Sequence, residues 1–329
     1  MRGPAGCPTT NLGGDLVQSF FDPTLIQALG GAFIREDKVD QSLRRLVPNC
    51  HITKGHFSYP SRSLKLDLAW NHMDQNHRPF IHRTYGDAMR VHIGERSSFS
   101  LTRFGRLPVV LPVFDGYFKE NGFYQVLCLF GLIVVVNVIE CNGEGDDTRM
   151  DIYWAIASHK WLRFLHGPLN RRLLRLNDVQ NREDDEIRDR RIALRAAGYA
   201  FATDRPDFVN SNVIANNVIF PAVSVVRSIP VENLAEGDTQ TVQASDRSYL
   251  LRRSGSVLEV WPGVCPHEGA ALGAQDLEGA RVKCRWHGLE FPARRLVRDG
   301  APVTLCGARL EWASGQLKIG PISTVTADV

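Results

Sequence analysis

Little net charge is carried by this 329-residue chain: 39 Lys and Arg stand against 36 Asp and Glu, a net of +3. So small a bias gives no reason to expect nucleic acid or an anionic membrane as partner. A disulfide framework is also missing, because the seven cysteines are odd in number and follow no framework spacing, which fits reduced thiols in a cytoplasm. The opening stretch MRGPAGCPTTNLGGDLVQ has no continuous apolar segment of the kind a cleaved secretory signal carries. Long hydrophobic runs are few. Tyr124 to Cys141 comes nearest to the roughly 20 residues of a membrane helix, yet Gln125, Gly131 and Asn137 interrupt it, and Ile133, Val134, Val135, Val136 and Ile139 are β-branched. That composition predicts buried sheet and no membrane span. No internal repeat or low-complexity tract occurs, Gly143-x-Gly145 lacks the third glycine of a dinucleotide loop, and no Ser-His-Asp spacing for a hydrolase is legible.

What is present centres on Cys265-Pro266-His267, followed after sixteen residues by Cys284-Arg285-Trp286-His287. Two thiolates on one iron and two neutral imidazoles on the other are the ligand set of a Rieske [2Fe-2S] cluster. Cys265 and Cys284 are assigned to one iron and His267 and His287 to the other. Zinc competes, since two Cys and two His also satisfy a tetrahedral ion. Zinc fingers, however, usually carry a Cys pair followed by a His pair, whereas each half here holds one of each, with Pro266 and Gly288 beside the ligands. Around the second loop Arg281, Lys283, Arg285, Arg294, Arg295 and Arg298 form either a solvated basic face or a surface that steers an acidic electron donor.

The length accommodates two domains, and 43% apolar with 23% charged residues allows a sizeable core. Residues 1–225 are expected to form the first domain, with 1–45 as a Gly-containing lead bearing one helix, and residues 226–329 the second. Within the first, a helix ending near His77, strands over Ala88–Arg103, Phe123–Cys141 and Met150–Ala157, and charge-rich helix over His159–Ala197 are predicted. Pro221 and Pro230 punctuate the boundary. The second domain reads as short strands at Thr241–Ala244, Ser248–Arg253, Val257–Trp261, Arg281–Cys284, Arg309–Trp312 and Gln316–Ile319. The class is α+β followed by a small all-β domain.

A further array is Asp74-x2-His77-x4-His82. Asp74 and His77 are three apart and would share a helix face, while Pro79 disfavours helical geometry at Arg78 and lets the chain bring His82 back. Two imidazoles and a carboxylate make the facial triad of non-heme Fe(II) oxygenases. Taken alone, such histidines more often serve the surface or the core. His72 is expected to face solvent, and His92, His159 and His166 carry no assigned role.

Together the loops CPHEGAAL and CRWHGLEF and the Asp-His-His array resemble the Rieske non-heme iron oxygenases, the ring-hydroxylating α-subunit type. Respiratory Rieske proteins add a disulfide-forming cysteine in each loop, and Ala270 and Trp286 stand at those positions here. The resemblance implies a helix-grip, START-like catalytic domain, with His77 and His82 as ligands of a mononuclear Fe(II) and Asp74 as the carboxylate bridging to a cluster histidine. It also implies a third ligand from QNREDDEIRDRRIALRAAG, assigned to Asp184 because Asp189 matches a further acidic position, with Asp185 as the alternative. The stretch Phe130-Gly131-Leu132 resembles the family's strand with Phe-Pro-Asn. The domain order is the reverse of the family's usual one. Implied partners are O2, an external NAD(P)H-dependent reductase or ferredoxin, a hydrophobic small molecule to be hydroxylated, demethylated or desaturated, and further copies of the chain, commonly three. The Val109–Phe118 and Leu127–Ile139 strands are expected to line an apolar pocket. A Rieske redox carrier or sensor with a ligand-binding first domain is the alternative.

Overall fold

The computed structural model describes residues 36–47, 49–82, 84–93, 97–104, 109–119, 122–143, 147–204, 217–244, 246–291 and 294–322. The lead before residue 36, and with it Cys7, lies outside the described residues. Helix α1 (Glu36–Leu46) precedes β1 (Cys50–Ser61), α2 (Lys65–Met73) and the single turn α3 (Arg78–Ile81). Strands β2 (Tyr85–Ile93), β3 (Ser97–Phe104), β4 (Val110–Lys119), β5 (Gly122–Leu129), β6 (Ile133–Asn142) and β7 (Thr148–His159) follow. They build one antiparallel seven-stranded sheet in the order β1-β7-β6-β5-β4-β3-β2. After a 3-10 segment (Lys160–Leu165) comes α4 (His166–Ala196), 31 residues and therefore about 46 Å long.

Period-two alternation explains why the sheet can carry helix on both sides. In β6, Ile133, Val135, Ile139 and Cys141 join the core under α2 and the start of α4, where Leu68, Ala69, Met73, Leu162 and Leu169 meet them. Val134, Val136 and Val138, of opposite parity, pack with Leu43 of α1. The apolar run Tyr124–Cys141 is thus two paired strands. Phe130 and Gly131 form the turn between them, both at positive φ, so the expected single strand through Phe130 is a hairpin. Ala88–Arg103 likewise divides into β2 and β3. Among the described residues no helix is long and apolar enough to cross a membrane.

Short strands β8 (Ala200–Phe201) and β9 (Val218–Ile219) pair with each other and lead to the C-terminal part. There β10 (Arg227–Pro230), β11 (Thr239–Ala244), β12 (Arg247–Ser254), β13 (Val257–Pro262), β14 (Leu277–Glu278), β15 (Arg281–Lys283), β16 (Glu290–Phe291), β17 (Arg295–Arg298), β18 (Val303–Leu305), β19 (Ala308–Ala313) and β20 (Gln316–Gly320) are all β structure. Sheets β10-β20-β19-β18 and β11-β12-β13-β17 enclose a core that includes Tyr249, Leu251, Val260, Leu310 and Leu317. A third sheet, β14-β15-β16, holds the second cysteine loop at its tip.

The two parts meet along the C-terminal half of α4. Arg191, fully buried, donates to Asp67 Oδ1 of α2 at 2.7 Å and to Glu268 Oε2 of the first cysteine loop at 3.1 Å. Its guanidinium is sandwiched by Trp70 at 4.0 Å and Phe201 at 3.6 Å. An arginine suits this place because its planar fork can serve two carboxylates while stacking on aromatic rings. Removing it leaves Asp67 and Glu268 as buried charges with fewer partners. Arg191→Leu is expected to destabilise the protein by about 3–5 kcal/mol, read as a lower urea midpoint.

Candidate metal centres

Cys265, His267, Cys284 and His287 come from two loops built alike. Gly269 N–H donates to Cys265 O at 2.9 Å, and Gly288 N–H to Cys284 O at 2.7 Å. Both glycines sit at positive φ, +89° and +62°, where a side chain is strained. A Cβ on Gly288 would also stand 2.3 Å from the Phe80 ring of α3, and one on Gly269 would stand 2.5 Å from Leu194 of α4. The loops are thus pressed onto the first part of the chain. The two thiols are buried and hydrogen-bonded to each other, which raises Cys265 and lowers Cys284 to about 5. The rings of His267 and His287 lie 4.7 Å apart, edge on, and the Nδ1 atoms of both are buried without a partner. Two thiols and two orphaned imidazole nitrogens fit the [2Fe-2S] ligand set.

A second cluster forms where the first sheet meets α4. His77 Nε2 and His82 Nε2 are 3.3 Å apart, and each is 3.4 Å from Asp184 Oδ1. Among the described residues this is the one group of three or more His, Cys, Asp or Glu side chains gathered closely enough to hold an ion. Asp184 Oδ1 is buried with no hydrogen-bond partner, while Oδ2 lies 3.4 Å from Arg188 Nη2. Burial would raise this carboxyl, but His82, His77 and Arg188 beside it outweigh that and hold it well below the usual range. His82 itself is lowered to about 4, chiefly by burial, and so offers a neutral nitrogen. Three converging atoms of this donor type fit a divalent iron with open positions. Asp185 faces away and accepts from the Tyr59 hydroxyl. Asp189 is exposed.

Each imidazole has a carboxylate behind its other nitrogen. Glu183 Oε2 is 3.1 Å from His82 Nδ1, Asp74 Oδ2 is 3.3 Å from His77 Nδ1, and Glu268 Oε1 is 3.9 Å from His267 Nε2. Within hydrogen-bond reach, as Glu183 is of His82, such a partner fixes the tautomer and orients the ring, whereas Glu268 lies too far from His267 to do so. Asp74 does more. Its Oδ2 also accepts from His287 Nε2 at 2.6 Å, so one carboxylate oxygen lies between the two centres within a single chain. Burial would lower His287, but the Asp74 carboxylate beside it outweighs that and raises the imidazole to about 10.

The local backbone differs from the expected helix through His77. Helix α2 stops at Met73, leaving Asp74 in extended geometry as its C-cap, and His77 precedes the separate turn α3. Pro79 stands in the first turn of α3, where its fixed φ favours helix and its missing N–H costs nothing, so Arg78 is helical after all. His72 is not solvent-facing. Its ring packs 5.2 Å from Phe123 and its Nε2 lies 4.0 Å from buried Asp115. His166, given no role, is buried between Ser158 and Thr53, 2.7 and 2.9 Å from their hydroxyls. Of the basic residues near the second loop, Arg281, Lys283, Arg285 and Arg294 each meet an acidic side chain.

Beside the triad lies a small cavity of about 50 Å³ that opens to solvent. Its apolar lining is confined to Ile139, Met150 and Ile152. Leu127 and Leu129, expected to line it, pack into the core instead. The sequence reading missed Asn71, Gln125, Asn137, Asn177 and Arg188 as lining residues. Gln125 and Asn137 carried a signal nonetheless, being the polar breaks in the apolar run, at inward-facing parity.

Residues 224–304 match the Rieske [2Fe-2S] domain, so the C-terminal part of the chain is a domain of that family. No curated protein matches the chain. Among solved structures, the di-domain ARO/CYC StfQ from the steffimycin biosynthetic pathway is similar at 10% identity and a TM-score of 0.38, over 50% of this chain and 61% of that one. The chain thus spans less than two thirds of StfQ. Norcoclaurine synthase from Thalictrum flavum follows at 9% identity and 0.31, over 37% and 78%. The Mll3558 protein from Rhizobium loti stands at 11% and 0.32, over 41% and 98%.

Metal content separates the two candidate ligands on α4. His77→Ala and Asp184→Ala are expected to remove one equivalent of iron per chain and leave the visible spectrum of the cluster intact, whereas Asp185→Ala retains the full complement. Iron and acid-labile sulfide assays on anaerobically purified protein read both.

Proposed function

We propose that this chain is a Rieske-type oxygenase that uses O2 and electrons from an external NAD(P)H-dependent reductase or ferredoxin to hydroxylate, demethylate or desaturate a small organic molecule. The carrying observation is Asp74 Oδ2, which hydrogen-bonds His287 of the Rieske domain and lies against His77 of the triad. In this reading residues 1–225 are a helix-grip catalytic domain and residues 226–329 the electron-transfer domain. Bound in these sites, the [2Fe-2S] cluster would supply single electrons and a mononuclear Fe(II) on His77, His82 and Asp184 would supply O2 activation.

The chain's own contribution is orientation and charge. Asp74 holds the proton on His287 Nε2 and lies against His77 Nδ1, which leaves His287 Nδ1 and His77 Nε2 as ligand atoms. Glu183 does the same for His82. Arg188 lies against one Asp184 oxygen and leaves the other facing the imidazoles. Arg191 anchors the first cluster loop through Glu268, so the distance between the two centres is set by buried side chains. A redox carrier with a non-catalytic first domain would give Asp184 Oδ1 and its two imidazole neighbours nothing to do.

Turnover tests this directly. With a surrogate reductase and NADH, the protein is expected to consume O2 and incorporate its oxygen, or remove hydrogen or a methyl group, in a substrate panel. Asp74→Asn is expected to keep both metal sites filled yet slow turnover by about ten- to a hundredfold, the scale of losing an orienting partner. Full reduction of the cluster with no O2 consumption on any substrate would favour the carrier.

A further inference from the structure

The cavity wall beside the triad holds polar atoms whose direction of hydrogen bonding is fixed by their neighbours. Asn71 Oδ1 accepts from Arg188 Nε at 3.1 Å and Nη2 at 2.8 Å. Arginine only donates, so the Asn71 amide cannot be the other way round, and Nδ2 is the atom left over, buried without a partner. On the opposite wall the logic runs along the sheet. Asp115 Oδ1 accepts from Gln125 Nε2 at 2.8 Å, and Gln125 Oε1 accepts from Asn137 Nδ2 at 3.0 Å. Asp115 Oδ1 also accepts from Arg78, which only donates, at 3.1 Å. Asn137 must therefore present its carbonyl, and Oδ1 is buried without a partner. Asn177 Nδ2 of α4, another cavity-lining atom, is likewise unpartnered.

Asn71 is 1% exposed and Asn137 5%. Amide groups so buried are costly when unpaired, and native proteins leave few of them. Here they gather around one cavity. Resting on the oxygenase reading of that cavity, the geometry points to a substrate that brings both a hydrogen-bond acceptor and an N–H or O–H donor, such as a carboxamide, lactam or hydroxy-ketone, rather than a plain hydrocarbon. Its acceptor takes the N–H of Asn71, with Asn177 as a second donor, and its own donor reaches Asn137 Oδ1. Its apolar part lies on Ile139, Met150 and Ile152. The orienting groups Arg188 and Asp115 are positioning residues: they set which end of each amide faces the ligand.

The test is binding, read without O2 or reductant by calorimetry on the purified full chain with its cluster oxidised. Benzamide, acetophenone and isopropylbenzene have similar shapes and offer, respectively, acceptor plus donor, acceptor alone, and neither. Affinity is expected to fall about tenfold at each step, the scale of one hydrogen bond gained against a group left unpaired. Asn137→Leu is expected to erase the benzamide to acetophenone step alone. Asn177→Leu, on a half-buried helix face that tolerates leucine, shrinks the acetophenone to isopropylbenzene step. Equal or tighter binding of isopropylbenzene, or no binding by benzamide, overturns the inference and leaves these amides to internal water. Because the ladder needs no turnover, an intact ladder with an inactive enzyme would sink the oxygenase reading only.

Discussion

One hydrogen bond organises this molecule: His287 Nε2 to Asp74 Oδ2, 2.6 Å long, between residues 213 apart in sequence. Both groups are buried, so neither can exchange its partner for water without cost. Helix α2 ends at Met73 and leaves Asp74 in extended geometry as its C-cap, and from there it meets both His77 and His287. The Rieske loops must also dock closely. Gly269 and Gly288 permit that approach, and Arg191 fixes it through Asp67 and Glu268.

The same economy runs through the imidazoles. Carboxylates stand behind His77, His82, His267 and His287, and the nitrogens left facing inward are those a metal needs. In the proposed oxygenase, Asp74 serves both centres with one oxygen, which gives a contact between them inside a single polypeptide even though the domains occur in the reverse of the usual order. Head-to-tail pairing of subunits is then not required to bring a cluster histidine to the carboxylate.

The motifs were legible because chemistry dictates them. Cys-x-His and Cys-x2-His must be short to clamp a cluster from two loops, and the strands around them alternate plainly. Asp74, His77, His82 and Asp184 were also legible as a set through the family resemblance, though their backbone was not: Pro79 reads as a breaker from sequence and acts as a helix starter in context. Glu183, Arg188 and Asp115 stayed hidden because charged residues on a helix or strand look solvated until the partner element is known. Gln125 and Asn137 were seen as interruptions of an apolar run. Only the parity of β5 and β6, with the turn at Phe130 and Gly131 between them, turns those interruptions into the wall of a cavity.

The central claim is that the two centres face each other within one chain across Asp74. The most direct measurement is electron paramagnetic resonance of the reduced cluster with Co(II) loaded into the His77, His82 and Asp184 site, before and after dilution with excess Asp184→Ala protein. The account predicts that Co(II) speeds relaxation of the cluster signal and that the effect per loaded chain survives dilution. No enhancement, or enhancement that vanishes as loaded chains are separated from one another, would contradict it.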